Sequence, residues 1–279
     1  MISPLPFVKI ANMLLKNADM NTLHEPNVSV FPHMDDLGRA AAAKSTEIIS
    51  TAIQSRGYSR ILVATGNSQV NLMQHLSVAD LDWSKVEIFH LDEYVGISSN
   101  HPASFRFWIR TRLVEKVFPR SVHFIEGDAR DPDAEAARYS ALLLAEPIDL
   151  AFVGFGENGH IAFNDPHVAD FSDPLTVKRV LLDPACRRQQ VREGHFSSVA
   201  SVPREALSVT CSGLMRAANW VCSVPELRKA EAVKAALEGP ISTSCPASLV
   251  RTRDRAFIYL DTSSASQLTH THSIAHLPR

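Results

Sequence analysis

The sequence predicts an α/β fold: a single doubly wound, mostly parallel sheet with helices on both faces, Rossmann-like in outline. Three observations carry that expectation. Strand-like and helix-like runs alternate along the chain. The strand-like runs are close to continuously apolar, as strands covered on both faces are. The loops richest in reactive side chains follow those runs directly, where open α/β sheets bind ligands.

The first element is a helix from about Asp36 to Arg56, apolar along one face. A strand follows at Ile61–Ala64, then a helix-like segment at Val70–Leu76. Val86–Leu91 reads as the next strand, with a helix over about Ala103–Val117 behind it. A helix near Asp133–Leu144 precedes a strand at Ile148–Gly154. Later strands are expected near Leu207–Thr210, Trp220–Val224 and Phe257–Leu260, with a helix at Glu226–Glu238 among them. No repeat and no long Gly/Ser/Pro linker breaks this order, so residues 1–279 read as one domain.

Composition narrows the function. The 279 residues are 45% hydrophobic, enough for a large core. A net charge of −2 without a sustained basic stretch argues against nucleic acid and anionic membrane surfaces as partners. No apolar run approaches the ~20 residues that span a bilayer. The first residues lack the pattern of a signal peptide, so a cytoplasmic protein is expected. Cys186, Cys211, Cys222 and Cys245 show no CxxC pair and no metal-ligand spacing, and read as reduced and packed. His270, His272 and His276 sit in a polar tail that allows a chance metal site rather than a catalytic one.

Three loops stand out. GFGENGHIAFNDP, from Gly154 to Pro166, puts three glycines within six residues, then His160, with Asp165 five residues on. A histidine on a glycine-rich turn after a buried strand suits acid–base chemistry; the alternative is a histidine that caps a backbone group. LDEYVG places Asp92, Glu93 and Tyr94 where the second strand should end. An unpaired buried carboxylate is costly, so this pair should face a crevice or a partner. An Asx turn or helix cap leading towards Pro102 is the alternative. ATGNSQ sets Gly66, Asn67 and Ser68 between a strand and a helix start, a geometry that binds phosphate through backbone N–H groups. It is neither a P-loop nor a GxGxxG fingerprint, and an ordinary βα turn with a Ser cap accounts for it equally well.

Taken together, ATGNSQ, LDEYVG followed by HPASFRF, and GFGENGHIAFNDP resemble the glucosamine-6-phosphate deaminase/isomerase family, which is related to the 6-phosphogluconolactonases. VPREALSVT and KAEAVKAALEG followed by CPAS add weaker support. The resemblance runs from about the helix before Ile61 to about Asp261. The lactonases share a glycine-histidine loop, whereas LDEYVG and IAFN favour the deaminase side.

The resemblance implies a phosphosugar substrate and no cofactor or metal. Its phosphate would lie against Gly66, Asn67 and Ser68, with Lys229 as a distal cation. An arginine between Arg187 and Arg192 would join them, and Arg192 is the one assigned. His160 would open the pyranose ring, and Asp92 would then shuttle a proton between C2 and C1, giving a ketose with loss of ammonia. A lactonase, with His160 activating water, and a non-catalytic sugar-phosphate sensor are the other functions in view. A homo-oligomer stays open.

Two positions depart from the family pattern. Asn158 stands where Asp is usual before Gly-His, and Asp165 where Glu is usual. An asparagine orients an imidazole by hydrogen bonding but stabilises its charged form less than a carboxylate does. The stretch after Pro166 lacks the serine- and arginine-rich run of allosteric members, so that regulation is not implied.

Overall fold

The computed structural model describes residues 23–269, so His270, His272 and His276 lie outside it. In chain order its elements are β1 (Asn27–Phe31), α1 (Met34–Arg56), β2 (Ser59–Val63), α2 (Val70–Leu76), β3 (Val86–His90), β4 (Asp92–Tyr94) and α3 (Phe105–Ile109). A π turn (Arg110–Val114), α4 (Glu115–Val117), β5 (Ser121–Val122), α5 (Pro132–Leu144), β6 (Leu150–Val153), β7 (Val177–Leu181) and α6 (Pro184–Arg192) follow. The chain then runs through β8 (Glu205–Val209), α7 (Cys211–Leu214), β9 (Asn219–Val224), α8 (Ala230–Glu238) and β10 (Ala256–Asp261).

Seven strands form one sheet in the order β1-β10-β9-β6-β2-β3-β5, with every neighbouring pair parallel. Its central strands carry the runs that announced it: all four residues of β6 and all five of β2 are buried. Helices surround this sheet, as the sequence predicts. α1 begins with Asp35 and Asp36 in its first turn and ends at Gly57, whose left-handed backbone (φ 89) closes the helix onto the Ile53 carbonyl. α5 and α6 each start on a capping aspartate, Asp131 and Asp183, followed by a proline. None of the described helices is long and apolar enough to cross a membrane.

A second sheet, β4-β8-β7, is antiparallel and separate. The expected strand at Leu207–Thr210 belongs here, one or two residues earlier, and not in the parallel sheet. β1, β5 and β7 escape the sequence reading because they are short or edge strands with mixed burial. The expected helix at Ala103–Val117 is three pieces, and the one expected from Glu226 begins as a 3₁₀ turn over Leu227–Lys229.

The two sheets share a core in which Val63, Leu91 and Phe152 pack in one cluster with Val177, Leu207 and Val209. Leu91 ties them together. Its N–H donates to Val63 of β2, while its carbonyl accepts from Val209 at the end of β8. The chain thus leaves the parallel sheet at His90 and enters the second sheet at Asp92. The order of the parallel sheet reverses between β2 and β6: the chain goes outward from β2 to β3 and β5 on one side and from β6 to β9 and β10 on the other, where β10 pairs with the first strand, β1. A crevice at the carboxyl ends of such a pair is the usual ligand site.

Candidate active site

A cleft opens at that reversal. Thr65 to Ser68 line it from the β2 loop, Asp92 from the start of β4, and Gly154, Gly156 and His160 from the β6 loop. Lys229 and Arg228 close another side, with Gln189, Gln190, Glu193 and His195 from α6 and the residues after it. All three loops singled out in the sequence therefore meet in one place.

The β2 loop turns on Gly66, whose φ of 94 lies in the region that only glycine enters without strain. Asn67–Gln69 form a 3₁₀ turn that runs into α2. The loop is fastened to β9: Ser223 Oγ donates to the Ser68 carbonyl at 2.7 Å, and Gln69 Nε2 to the Ser223 carbonyl at 3.3 Å.

Asp92 and Glu93 are both buried but have opposite surroundings. Glu93 is fully enclosed and its carboxylate accepts from Tyr94 N, Ser104 Oγ, Phe105 N and Arg106 N. It also pairs with the Arg106 guanidinium at 3.4 Å. It is the anchor that starts α3, so the partner expected for this residue is structural. Burial raises its carboxyl above the usual range against the pull of those bonds. Asp92 instead lines the cleft. Burial, and then the Glu93 charge, hold its carboxyl well above the ordinary carboxylate range.

His160 belongs to a triangle of side chains. Its Nδ1 lies 2.7 Å from Asn158 Oδ1 and 3.0 Å from Asp165 Oδ1. Asn158 Nδ2 donates to the same Asp165 oxygen at 2.8 Å. A ring nitrogen that faces two acceptors carries the hydrogen, which leaves Nε2 as the basic atom. The ring lies against Gly156 so closely that a Cβ there would come within 2.2–2.4 Å of it. Burial opposes the Asp165 charge, but His160 and Asn158 hold its carboxyl below the usual value.

Lys229 is only 4% exposed and sits in the 3₁₀ turn that leads into α8. Burial lowers its ammonium pKa, and Glu193 opposes that shift. Arg192 is a correction. It is half-exposed, pairs with Glu157 at 2.7 Å and does not line the cleft. Arg187 is also turned away, onto the Val199 and Val202 carbonyls. The reason is helical phase: Cys186, Gln189, Gln190 and Glu193 share the inner face of α6, and Arg192 falls outside it.

The arginine in the cleft is Arg228, which the sequence reading passed over beside Lys229. Glu226, Glu193 and Glu157 all hold its guanidinium. Glu193 was also missed. Burial works against its charge, but His195, Gln189, Arg228 and Lys229 draw its carboxyl down to about 2. Its only sequence signal was the i, i+3, i+4 spacing with the two glutamines.

Residues 32–259 match the model of the glucosamine-6-phosphate isomerases/6-phosphogluconolactonases. The chain belongs to this family. A glucosamine-6-phosphate deaminase of Listeria monocytogenes is 33% identical over 229 residues, which is 82% of this chain and 96% of that protein. One from Lactobacillus delbrueckii subsp. bulgaricus is 31% identical over 242 residues, covering 86% and 99%. A solved monomeric glucosamine-6-phosphate deaminase superposes with a TM-score of 0.78 at 28% identity, over 86% of this chain and 99% of that one. A 6-phosphogluconolactonase from Shewanella baltica gives 0.71 at 17% identity, over 86% and 99%, a likeness of fold alone. The expected α/β architecture and the deaminase/isomerase family membership therefore both hold.

Proposed function

We propose that the cleft converts an amino-sugar phosphate, glucosamine 6-phosphate or a close analogue, into the ketose phosphate and ammonia. The observation that carries this reading is the pairing of two acid–base groups of different character in one cleft. Asp92 is a carboxylate with raised proton affinity, as suits a group that takes a proton from carbon and gives it back. His160 offers a basic Nε2 fixed by Asn158 and Asp165.

His160 would move the anomeric hydroxyl proton to the ring oxygen and open the pyranose. Asp92 would take the C2 proton, forming an enolamine, and return it to C1. Water then replaces the amine at C2, and ammonia leaves as the ketose forms. In this sense the reaction is a hydrolytic deamination. The phosphate would rest on Gly66, Asn67 and Ser68, with Lys229 and Arg228 facing it. Retention of Asp92 favours this over lactone hydrolysis, which has no proton to shuttle at C2.

The test is incubation with gluco- and galacto-hexosamine 6-phosphates, with ammonia and ketose phosphate measured together and a 6-phosphosugar lactone as the competing substrate. Equal release of ammonia and ketose phosphate is expected. Lactone turnover without ammonia would overturn the proposal.

A further inference from the structure

One feature of the His160 triangle is unexplained by acid–base chemistry. Asp165 is fully buried, and its Oδ2 has no hydrogen-bond partner among the described residues. A buried acceptor without a donor is costly, so its retention asks for an occupant. Beside it stands Cys186, 2% exposed and not disulfide-bonded, on the inner face of α6. Its thiol, one oxygen of Asp165 and one ring nitrogen of His160 all lie within 4.8 Å of one another. His160 Nδ1 and Asp165 Oδ1 stand 3.0 Å apart, as a hydrogen-bonded pair whose proton a metal ion would displace. In a tetrahedral zinc site, bonds of roughly 2.0–2.3 Å put the ligand atoms about 3.3–3.8 Å apart, so the His160–Asp165 pair would open by a few tenths of an ångström and the thiol would close in.

We propose that His160, Asp165 and Cys186 form an inhibitory site for a thiophilic divalent cation, with zinc as the best match. Sulfur, nitrogen and carboxylate donors together select zinc over magnesium or calcium, which prefer oxygen alone. The three residues come from two separate segments, which explains why no ligand spacing marks them in the sequence. On binding, the Cys186 thiol gives its proton to solvent, the ring hydrogen of His160 passes from Nδ1 to Nε2, and the sulfur and Nδ1 take the metal. His160 lines the cleft, so the fourth position is open to water or a substrate oxygen. With Nδ1 on the ion and the hydrogen on Nε2, His160 has no basic nitrogen left to accept a proton. The inhibitory consequence rests on the role given to His160 above, whereas metal binding does not.

The test uses cobalt as a spectroscopic stand-in for zinc. Purified protein, freed of metal, is titrated with Co²⁺ and its near-ultraviolet absorption recorded. A thiolate-to-cobalt charge-transfer band is expected in the wild type and absent in Cys186→Ala. Zinc should inhibit ammonia release reversibly, with recovery on adding a chelator. In Cys186→Ala the zinc concentration for half-inhibition should rise at least ~100-fold, beyond the 10–100-fold that follows loss of an outer partner. Metal-free turnover of that variant should be unchanged, because Cys186 has no part in the proton transfers. Cys186→Ser, closer in volume, gives the same comparison if the alanine variant folds poorly. No thiolate band in the wild type, or equal zinc inhibition with and without Cys186, would overturn the site. A cobalt band in a protein that releases no ammonia from any hexosamine phosphate would support the site and overturn the deaminase proposal instead.

Discussion

At the scale of single residues, the chemistry divides between two carboxylates that share one dipeptide. Glu93 spends its charge on Ser104, Phe105 and Arg106, which leaves Asp92 as the one turned to the cleft. As a base, Asp92 must be ionised, and its pKa is raised, so activity should fall as pH drops through a value above the ordinary carboxylate range. An acid limb of kcat/KM near the ordinary value of ~4 would count against it. Asp92→Asn should lower turnover by at least ~100-fold while phosphosugar affinity survives. Asn158 is likewise more than a weakened aspartate. Its amide accepts from His160 and donates to Asp165, so Asn158→Asp sets two carboxylate oxygens 2.8 Å apart where one hydrogen bond stood. Such a pair cannot hold both charges comfortably. We expect Asn158→Asp to lose turnover and Asn158→Asp/Asp165→Asn to recover part of it. Wild-type activity in the single variant would show that the amide donor is dispensable.

At the scale of elements, position follows from how each segment is fastened. Arg106, 3% exposed, links Glu93 at the head of α3 to Glu126, Asp128 and the Ile97 carbonyl. Arg106→Ala would leave Glu93 buried and unpaired, a loss of about 3–5 kcal/mol that urea denaturation can read. A loss under ~1 kcal/mol would mean that the N–H donors alone carry Glu93. For the Gly66–Ser68 turn, a hexitol 6-phosphate should inhibit far better than the free hexitol, and equal potency would remove phosphate from that loop. The sequence made these loops legible because their chemistry is local: a small-residue turn, an acidic pair, a glycine-histidine run. It could not show that β4 crosses into a second sheet, because Asp92–Tyr94 is three residues long and pairs with β8 more than a hundred residues away. It misplaced Arg192 for a similar reason. Which side of α6 faces the cleft depends on what packs against it, and a cluster of arginines and glutamines gives no apolar stripe to read.

At the scale of the whole molecule, the cleft is a seam. Thr65–Ser68 and His160 come from the parallel sheet, Asp92 opens the antiparallel one, and α6 supplies the wall between β7 and β8 in sequence. A bound phosphosugar analogue should therefore slow backbone hydrogen exchange both at residues 65–69 and along α6. Protection confined to one of the two would contradict a ligand that bridges them. Saturation should also raise the melting temperature, since a ligand at 100 times its Kd adds about 2.7 kcal/mol to stability. The two edge strands of the parallel sheet, β1 and β5, were not readable from apolar runs, whereas its five inner strands were. The seam was not, because it depends on a strand order that changes direction between β2 and β6.

Gly156 is where shape and reactivity come apart. The atoms that a methyl group would strike there belong to the His160 ring, the movable end of a side chain, and not to the backbone. Gly156→Ala should thus fold as before, keep its phosphate loop, and push the imidazole out of register with the sugar. Calorimetry should find the closed-ring substrate bound at near wild-type affinity, with turnover lower by at least ~100-fold. Such a protein would hold its substrate without consuming it. It would serve as a receptor for the intact aminosugar phosphate, made from this enzyme by adding a single carbon atom.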